Sequence, residues 1–394
     1  MPKRKAAMRK TEKIKANREA YKKAAYDAAY LAACVINGEK PDIDRVKQID
    51  LDMLYKVSIK HSMTGIVCHA LESVGIHETL FVQEKGKTIQ RVLLLDAAWK
   101  SIKSRLEQEK IWYMPLKGAV IKDYYPAVGI RCMSDYDVLI DINGRAKVRD
   151  IMVEKGFLVE SFDNDNHDIY TKAPSTSFEM HVGLFKKDRV EAPIYNYYEK
   201  IKEKLIKDSD NDFGYHFSHE DFYLYMIVHE YKHFTLGGTG LRSLLDIYVF
   251  LKKFKEVLDM EYIERETACM GIADFEKENR ALALKLFSNE ELDGISMQRL
   301  DYYIFSGVYG RIETAHYHMV KKKIGDNSLT SKLKYLYKRA FPPVKSLWQA
   351  YPFFDKHKYL TPLLILFRPI YLLIVKHKFI FREFKYVFKK NKPD

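Results

Sequence analysis

Between residues 111 and 185 the apolar positions switch repeatedly between the two-residue period of a strand and the helical period, whereas on either side the spacing stays helical. Residues 1–85 read as a charged, alanine-containing helix through Val35, a break between Gly38 and Pro41, and a helical stretch from Leu51 to Val74. Thr88 to Lys110 forms an amphipathic helix that leads into the short apolar strand Ile111-Trp112-Tyr113-Met114. Pro115-Leu116-Lys117-Gly118 closes that strand, and Ala119 to Tyr124 begins a helix. A strand follows at Val138-Leu139-Ile140, then a helix over Arg145–Lys155 stopped at Gly156, and a strand from Phe157 to Phe162. A hairpin then joins His167–Lys172 to Phe178–Phe185 through the turn-like Ala173-Pro174-Ser175-Thr176-Ser177. Helices resume after a loop at Asp208–Gly214, where Ser218 and Asp221 fit a capping box, and they continue to about residue 320 with a break at Gly237–Gly240. The pattern predicts an α+β fold in which a small mixed β-sheet core, residues 86–190, lies between an N-terminal helical region, 1–85, and a helical domain, 191–330, with a tail at 331–394.

Composition narrows the classes. A chain of 394 residues with 47% apolar and 13% aromatic side chains is long and hydrophobic enough to fold into two or three domains. Cys34, Cys68, Cys132 and Cys269 are scattered without a Cys-x-x-Cys spacing, which favours a reducing compartment over a disulfide framework or zinc knuckle. The N-terminus lacks the apolar core of a secretory signal, so a cytoplasmic protein is expected. The net charge of +13 first suggests nucleic acid, but residues 1–23 hold +8 and residues 331–394 hold +12, leaving −7 for residues 24–330. A mildly acidic centre argues against a groove that tracks a polyanion. The basic tails instead read as solvated helix faces or as peripheral contacts with an anionic membrane. Tyr359 to Lys376 is very apolar, yet Arg368 and two prolines interrupt it, and neither uncharged half approaches the ~20 residues of a spanning helix. It is expected to dock on the protein core or to lie as an interfacial helix.

The chemistry concentrates in Ser134-Asp135-Tyr136-Asp137, which runs directly into the Val138 strand. Side chains at i and i+2 leave a strand on one side, so Asp135 and Asp137 converge while Tyr136 and Val138 face the opposite layer. Two like charges held that close invite a divalent cation, Mg²⁺ or alternatively Mn²⁺, which keeps both ionised and shares its oxygen ligands with substrate phosphates. Upstream, strand, glycine turn and helix start make a phosphate site, with Gly118 admitting close backbone approach and Lys117 adding a point charge. Downstream, the hairpin can deliver Glu179 as a third carboxylate, and His181 should share its face.

On these segments the chain resembles nucleotidyltransferases of DNA polymerase beta type, and more narrowly a bacterial family of uncharacterised nucleotidyltransferases often met near cell-surface polysaccharide genes. The matching stretches are Pro115-Leu116-Lys117-Gly118, Tyr125-Pro126 through Arg131-Cys132-Met133-Ser134-Asp135-Tyr136-Asp137, and Glu179-Met180-His181, with His229 to His233, Gly238 to Arg242 and Asp246 further on. Lys117-Gly118 stands where the wider superfamily has Gly-Ser, so no hydroxyl serves the triphosphate there. The resemblance implies a metal-dependent transfer of an NMP from an NTP such as ATP to a hydroxyl acceptor: a sugar, a glycan precursor, another small alcohol, a protein or, as in related folds, a tRNA end. Asp135, Asp137 and Glu179 would hold two Mg²⁺ ions about 3.5–4 Å apart, and Lys117, Gly118, Arg131, Ser134, Lys232, His233 and Arg242 would serve the nucleotide and its phosphates. The alternative is a silent nucleotide-binding or scaffold protein of the same fold.

Two further motifs compete with this reading. His229-Glu230-Tyr231-Lys232-His233 matches H-E-x-x-H, the zinc-protease helix, but the extended pattern would need histidine at position 239, which is Thr239. The helix therefore packs beside the sheet with satisfied histidines, or sends Lys232 and His233 to the nucleotide. Arg242 and Asp246, four apart on a helix, read as an ion pair or as a substrate contact through Arg242. Arg131, three residues before Ser134, is placed to reach phosphate or to lock Asp137.

Overall fold

The computed structural model describes residues 2–307, 320, 324, 328–344, 347–348, 351, 353–354, 357–375, 381, 383–384 and 387–388. The chain divides into two compact units, one of residues 1–233 and 239–308, the other of residues 234–238 and 309–394. The fold is α+β, as the alternating patterns predicted, with a small mixed sheet flanked by helices in the sequence on both sides.

Five strands form the sheet in the order β1-β2-β5-β4-β3: β1 Tyr113–Pro115, β2 Tyr136–Ile140, β3 Leu158–Ser161, β4 His167–Lys172 and β5 Thr176–His181. β2 and β5 run parallel, with Asp137 directly opposite Glu179, and every other pairing is antiparallel. Alternation then sorts the side chains. Tyr136, Val138 and Ile140 on β2, with Phe178 and Met180 on β5, enter one buried core with Trp99, Ile102 and Leu106 of the helix Thr79–Gln108 and Val148, Ile151 and Met152 of the helix Arg145–Glu154. Trp99 stacks on Tyr136 at 5.3 Å and Tyr136 on Phe178 at 5.3 Å, so an aromatic ladder fixes β2 and β5 in register from below. Asp137, Glu179 and His181 are left on the other face.

That face is met by residues 219–233 of one helix and by a second helix, both later in the same unit. Labelled α1 is His219–Leu236, and α2 is Leu241–Phe254. α1 starts where the capping box was read: the Asp221 amide donates to Ser218 Oγ at 3.0 Å. The glycines at 237–240 separate the two helices as expected.

Four expectations needed revision. The helix expected from Thr88 to Lys110 begins at Thr79 and ends at Gln108. The stretch from Leu51 to Val74 is two helices, Leu51–Lys60 and Thr64–Ser73, with Ser62 at φ 52° between them. Gly65 in the second allows a backbone contact, because a Cβ there would lie 2.2 Å from the Gly129 carbonyl oxygen. The strand read as Phe178–Phe185 ends at His181 and starts earlier, at Thr176. The helix after Gly118 is a single turn, Gly118–Ile121, followed by a 3₁₀ turn at Lys122–Tyr124. Pro126 explains its shortness: the residue before proline avoids helical angles, and Tyr125 is extended at φ −82°, ψ 151°. The predicted continuation of helix to residue 320 falls partly on residues 308–319, outside the described residues.

In the second unit, helix Leu329–Ala340 is capped by Ser328, and Arg368 of helix Thr361–Val375 donates to the carbonyls of Arg339 and Ala340 at 2.9 and 2.6 Å. Among the described residues no helix is long and apolar enough to cross a membrane.

Candidate active site

Parallel pairing brings the carboxylates together. Because Asp137 and Glu179 are register partners on adjacent strands, their side chains leave the sheet side by side, and His181 follows Glu179 on the same face. One ligand atom from each of Asp137, Glu179 and His181 lies within 4.8 Å of the others, the one such group of three among the described residues. His181 Nε2 is 2.9 Å from Asp137 Oδ1 and 3.5 Å from Glu179 Oε2. His167, opposite His181 across β4 and β5, places its Nε2 3.7 Å from Glu179 Oε2. Asp135 stands one residue before β2, half-buried and outside that group of three, in which His181 takes the place expected for it; it lies near enough to feel the charges of Asp137 and Glu179.

The electrostatics show how tightly these charges are gathered. Burial, then the neighbouring charges of Asp137 and Glu179, push the Asp135 carboxyl up to about 6. Burial also opposes ionisation of Asp137, but Lys117 and the hydrogen bond from His181 outweigh it and hold that carboxyl below the usual range. Burial works against the His181 cation, yet its bonds to Asp137 and Glu179 raise its pKa. The imidazole thus supplies positive charge between the two carboxylates. His181 Nδ1 is buried and has no hydrogen-bond partner among the described residues. The unpartnered Nδ1 can carry the ring proton once Nε2 gives up its own, and Nε2 then has a lone pair to offer a cation. Two carboxylates, a third acidic group beside them and that imidazole fit a divalent cation.

Lys117 approaches from the turn after β1, its Nζ 3.6 Å from Asp137 Oδ2. Its backbone is at φ 40°, ψ −111°, a region that costs a side-chain-bearing residue about 1–3 kcal/mol. With only one helical turn behind it, the Gly118 amide has little macrodipole to add, so the Lys117 ammonium supplies most of the positive charge at this turn. Gly118 is required by a neighbour: a Cβ there would sit 2.8 Å from Arg131 Nη1.

Arg131 is turned away from Asp137. Its Nε and Nη2 donate to Asp246 Oδ1 and Oδ2, both at 2.8 Å, and Tyr125 donates to Asp246 Oδ1 at 2.7 Å. Burial opposes the Asp246 charge, but Arg131 holds the carboxyl below its usual range. Asp246, read from its spacing as a partner of Arg242, instead clamps Arg131 under the Gly118 turn. Arg242 donates to the Cys132 carbonyl at 3.2 Å and so braces the loop that leads to Ser134. Ser134 is exposed, and its hydroxyl hydrogen-bonds Asp135.

α1 supplies the roof. Burial and then Lys117 lower the Lys232 ammonium to about 8, while Asp137 and Glu179 act in the opposite sense. Burial, then Lys232 and Lys117, lower His233 to about 3. His229 is pushed well down by burial and then by Lys117. His229 and His233 face each other, Nε2 to Nε2, at 3.0 Å. The zinc-protease reading fails on Glu230, whose carboxylate is buried and accepts from Tyr303 at 2.6 Å, away from the two histidines. No third ligand joins that pair among the described residues. His229 and His167 were not singled out as site residues, although a spacing of i, i+3, i+4 with Lys232 and His233, and the hairpin register opposite His181, both place them there.

No curated protein and no solved structure matches this chain. Residues 47–288 match the family model described as "uncharacterised nucleotidyltransferase", a span that takes in the β2–β5 carboxylates, the Lys117 turn and both α1 and α2. On that match over more than half its length, the chain belongs to the uncharacterised nucleotidyltransferase family.

Proposed function

We propose that this protein is a metal-dependent enzyme that moves an NMP from an NTP, with ATP the first to try, to a hydroxyl acceptor. The observation that carries the reading is the register pair Asp137 and Glu179, closed by His181 on one side and met by Lys117 on the other. Family membership supports nucleotidyl transfer, and the order of strand, turn, helix, carboxylate strand and Glu-x-His strand supports the polymerase-beta type. Asp135, Asp137 and Glu179 would hold Mg²⁺ or Mn²⁺, with His181 as an adjoining nitrogen donor. Divalent cations at such a site lower the pKa of the acceptor hydroxyl and neutralise the triphosphate and departing pyrophosphate.

The chain's own groups do the positioning. Lys117 and Lys232 approach the carboxylates with positive charge, where they can bind phosphate oxygens, and Gly118 lets the backbone N–H come close. Arg131, fixed by Asp246, holds that turn in place. His233 and Arg242 stand at the nucleotide's edge of the cleft, and Ser134 orients Asp135. Phosphoryl transfer asks little covalent chemistry of the protein, so placement and charge neutralisation account for most of the rate. The acceptor hydroxyl belongs to a sugar, glycan precursor, other small alcohol or protein.

The test is incubation with each α-³²P-labelled NTP, Mg²⁺ or Mn²⁺ and a cell extract. Transfer of label to an acceptor, abolished by Asp137→Asn, is the expected result. No labelled product with any NTP or metal, alongside retained nucleotide binding, would move the protein to the non-catalytic reading.

A further inference from the structure

Among the described residues, exposed large apolar side chains gather in the second unit, and they do so in stripes. Helix Leu329–Ala340 exposes Leu329, Leu333 and Tyr337 at four-residue intervals, and Phe341 continues the row. Lys334 and Lys338, both exposed, each follow one residue after a member of that row, so a basic stripe runs beside the apolar one. Helix Thr361–Val375 exposes a second apolar row, Leu363, Leu366, Phe367 and Tyr371, with no lysine among them. Leu366 and Phe367 retain 68% and 63% of their accessible surface, values at which a water-facing helix normally carries charge.

Charge identifies the occupant. Residues 331–394 hold fifteen Lys and Arg against three acids, Asp355, Glu383 and Asp394. Glu383 is buried and spent on Arg339 and Tyr335. Helix Thr361–Val375 contains no acid at all, and its one arginine is turned inward to cap the other helix. A partner protein with an apolar groove would be matched by such rows alone. One apolar row flanked by lysines and a second on a helix without acids, in a segment with fifteen cations and almost no acid to repel phosphate, match an anionic bilayer surface. At 15 residues the second helix is too short to span and of the right kind to lie in the interface.

We infer that the second unit is a peripheral membrane-docking element: helices Leu329–Ala340 and Thr361–Val375 seat their exposed apolar rows in the headgroup boundary of an anionic phospholipid bilayer. Lys334 and Lys338 then lie against lipid phosphates. This site shares no residue with the carboxylate cluster and does not depend on the transfer reaction.

The test is flotation of the full-length protein with phosphatidylcholine vesicles containing 0, 20 or 40% phosphatidylglycerol. Bound protein should rise at least tenfold from 0 to 40% anionic lipid and fall as salt is raised from 0.05 to 0.5 M. Leu366→Glu/Phe367→Glu should lower partitioning at least tenfold, and Lys334→Glu/Lys338→Glu should abolish the preference for phosphatidylglycerol. Leu333→Glu/Tyr337→Glu, on the other helix, guards against a folding defect in the first pair, and unchanged far-UV melting confirms each variant is folded. Equal binding to neutral and anionic vesicles, or wild-type partitioning by folded variants of both helices, would overturn the proposal. So would failure of the wild type to float, which, where light scattering gives a dimer that the glutamate variants dissociate, assigns the rows to a second copy.

Discussion

Glu230→Gln isolates the cost of one buried charge. Glu230 lies on α1, is 4% exposed, and accepts a hydrogen bond from Tyr303, which in turn accepts one from Asn279 at 2.7 Å. Burial, reinforced by Asp246, raises its carboxyl to about 8, against the pull of Tyr303 and Arg299. The folded protein therefore holds a proton that the unfolded chain, with an ordinary carboxyl near 4.5, has already released over most of that interval. Stability is fully present below the unfolded value and declines as pH rises through the interval towards 8; above that the loss is complete. At about 1.4 kcal/mol per unit, the interval corresponds to a loss on the order of 4–5 kcal/mol. Glutamine keeps the oxygen that Tyr303 bonds and carries no charge. Urea unfolding of both proteins at pH 5.5 and pH 9 should show the variant's advantage growing by about 3 kcal/mol from the lower value to the higher one. Parallel stability-against-pH curves would refute the reasoning, because Glu230 would then be titrating alike in both states.

Asp137→Asn should abolish nucleotidyl transfer while leaving the thermal midpoint within a few degrees, read by radiolabel assay and circular dichroism; transfer at the wild-type rate would remove the carboxylate from the mechanism. Asp246→Ala leaves Arg131 buried without its carboxylate, a change that costs about 3–5 kcal/mol in urea titration, and the loosened Gly118 turn should also raise the KM for NTP. Gly65→Ala should destabilise by about 1–3 kcal/mol or more by overpacking, since its new methyl meets a backbone oxygen that no rotamer change can move. Metal analysis of protein purified without added zinc should find far less than one zinc per chain, unaltered by His233→Ala.

Local pattern carried the sheet. Asp-x-Asp before three apolar residues, Gly156 after a helix and the turn at Ala173–Ser177 each encode their element within a few residues, so β2, the hairpin and the Ser218 N-cap were all legible, although the Asp221 carboxylate that would close a capping box accepts from Tyr197 and Tyr262 instead. The shared face of Glu179 and His181 followed from a period of two. What spacing could not supply was partnership across the chain. Arg131 and Asp246 are 115 positions apart, and their bond exists only because α2 packs behind the Gly118 turn. Asp246 looked like a partner for Arg242 because i,i+4 neighbours are the only ones a lone helix reveals. Glu230 misled for a similar reason: H-E-x-x-H places two histidines on one face, but it does not say that the glutamate between them turns into the helical bundle. The brevity of the helix after Gly118 could have been read from Pro126, whose effect reaches back to Tyr125.

Because Asp137 and Glu179 are ladder partners, the gap between them is a fixed ruler, set by strand spacing of about 4.8 Å rather than by any loop. Lengthening a connection or reshaping the helices above would alter which molecules enter without disturbing the distance at which the acids stand. On the proposed function, substrate range and catalytic gauge would be inherited separately, and the fold could drift in one while backbone hydrogen bonds hold the other constant.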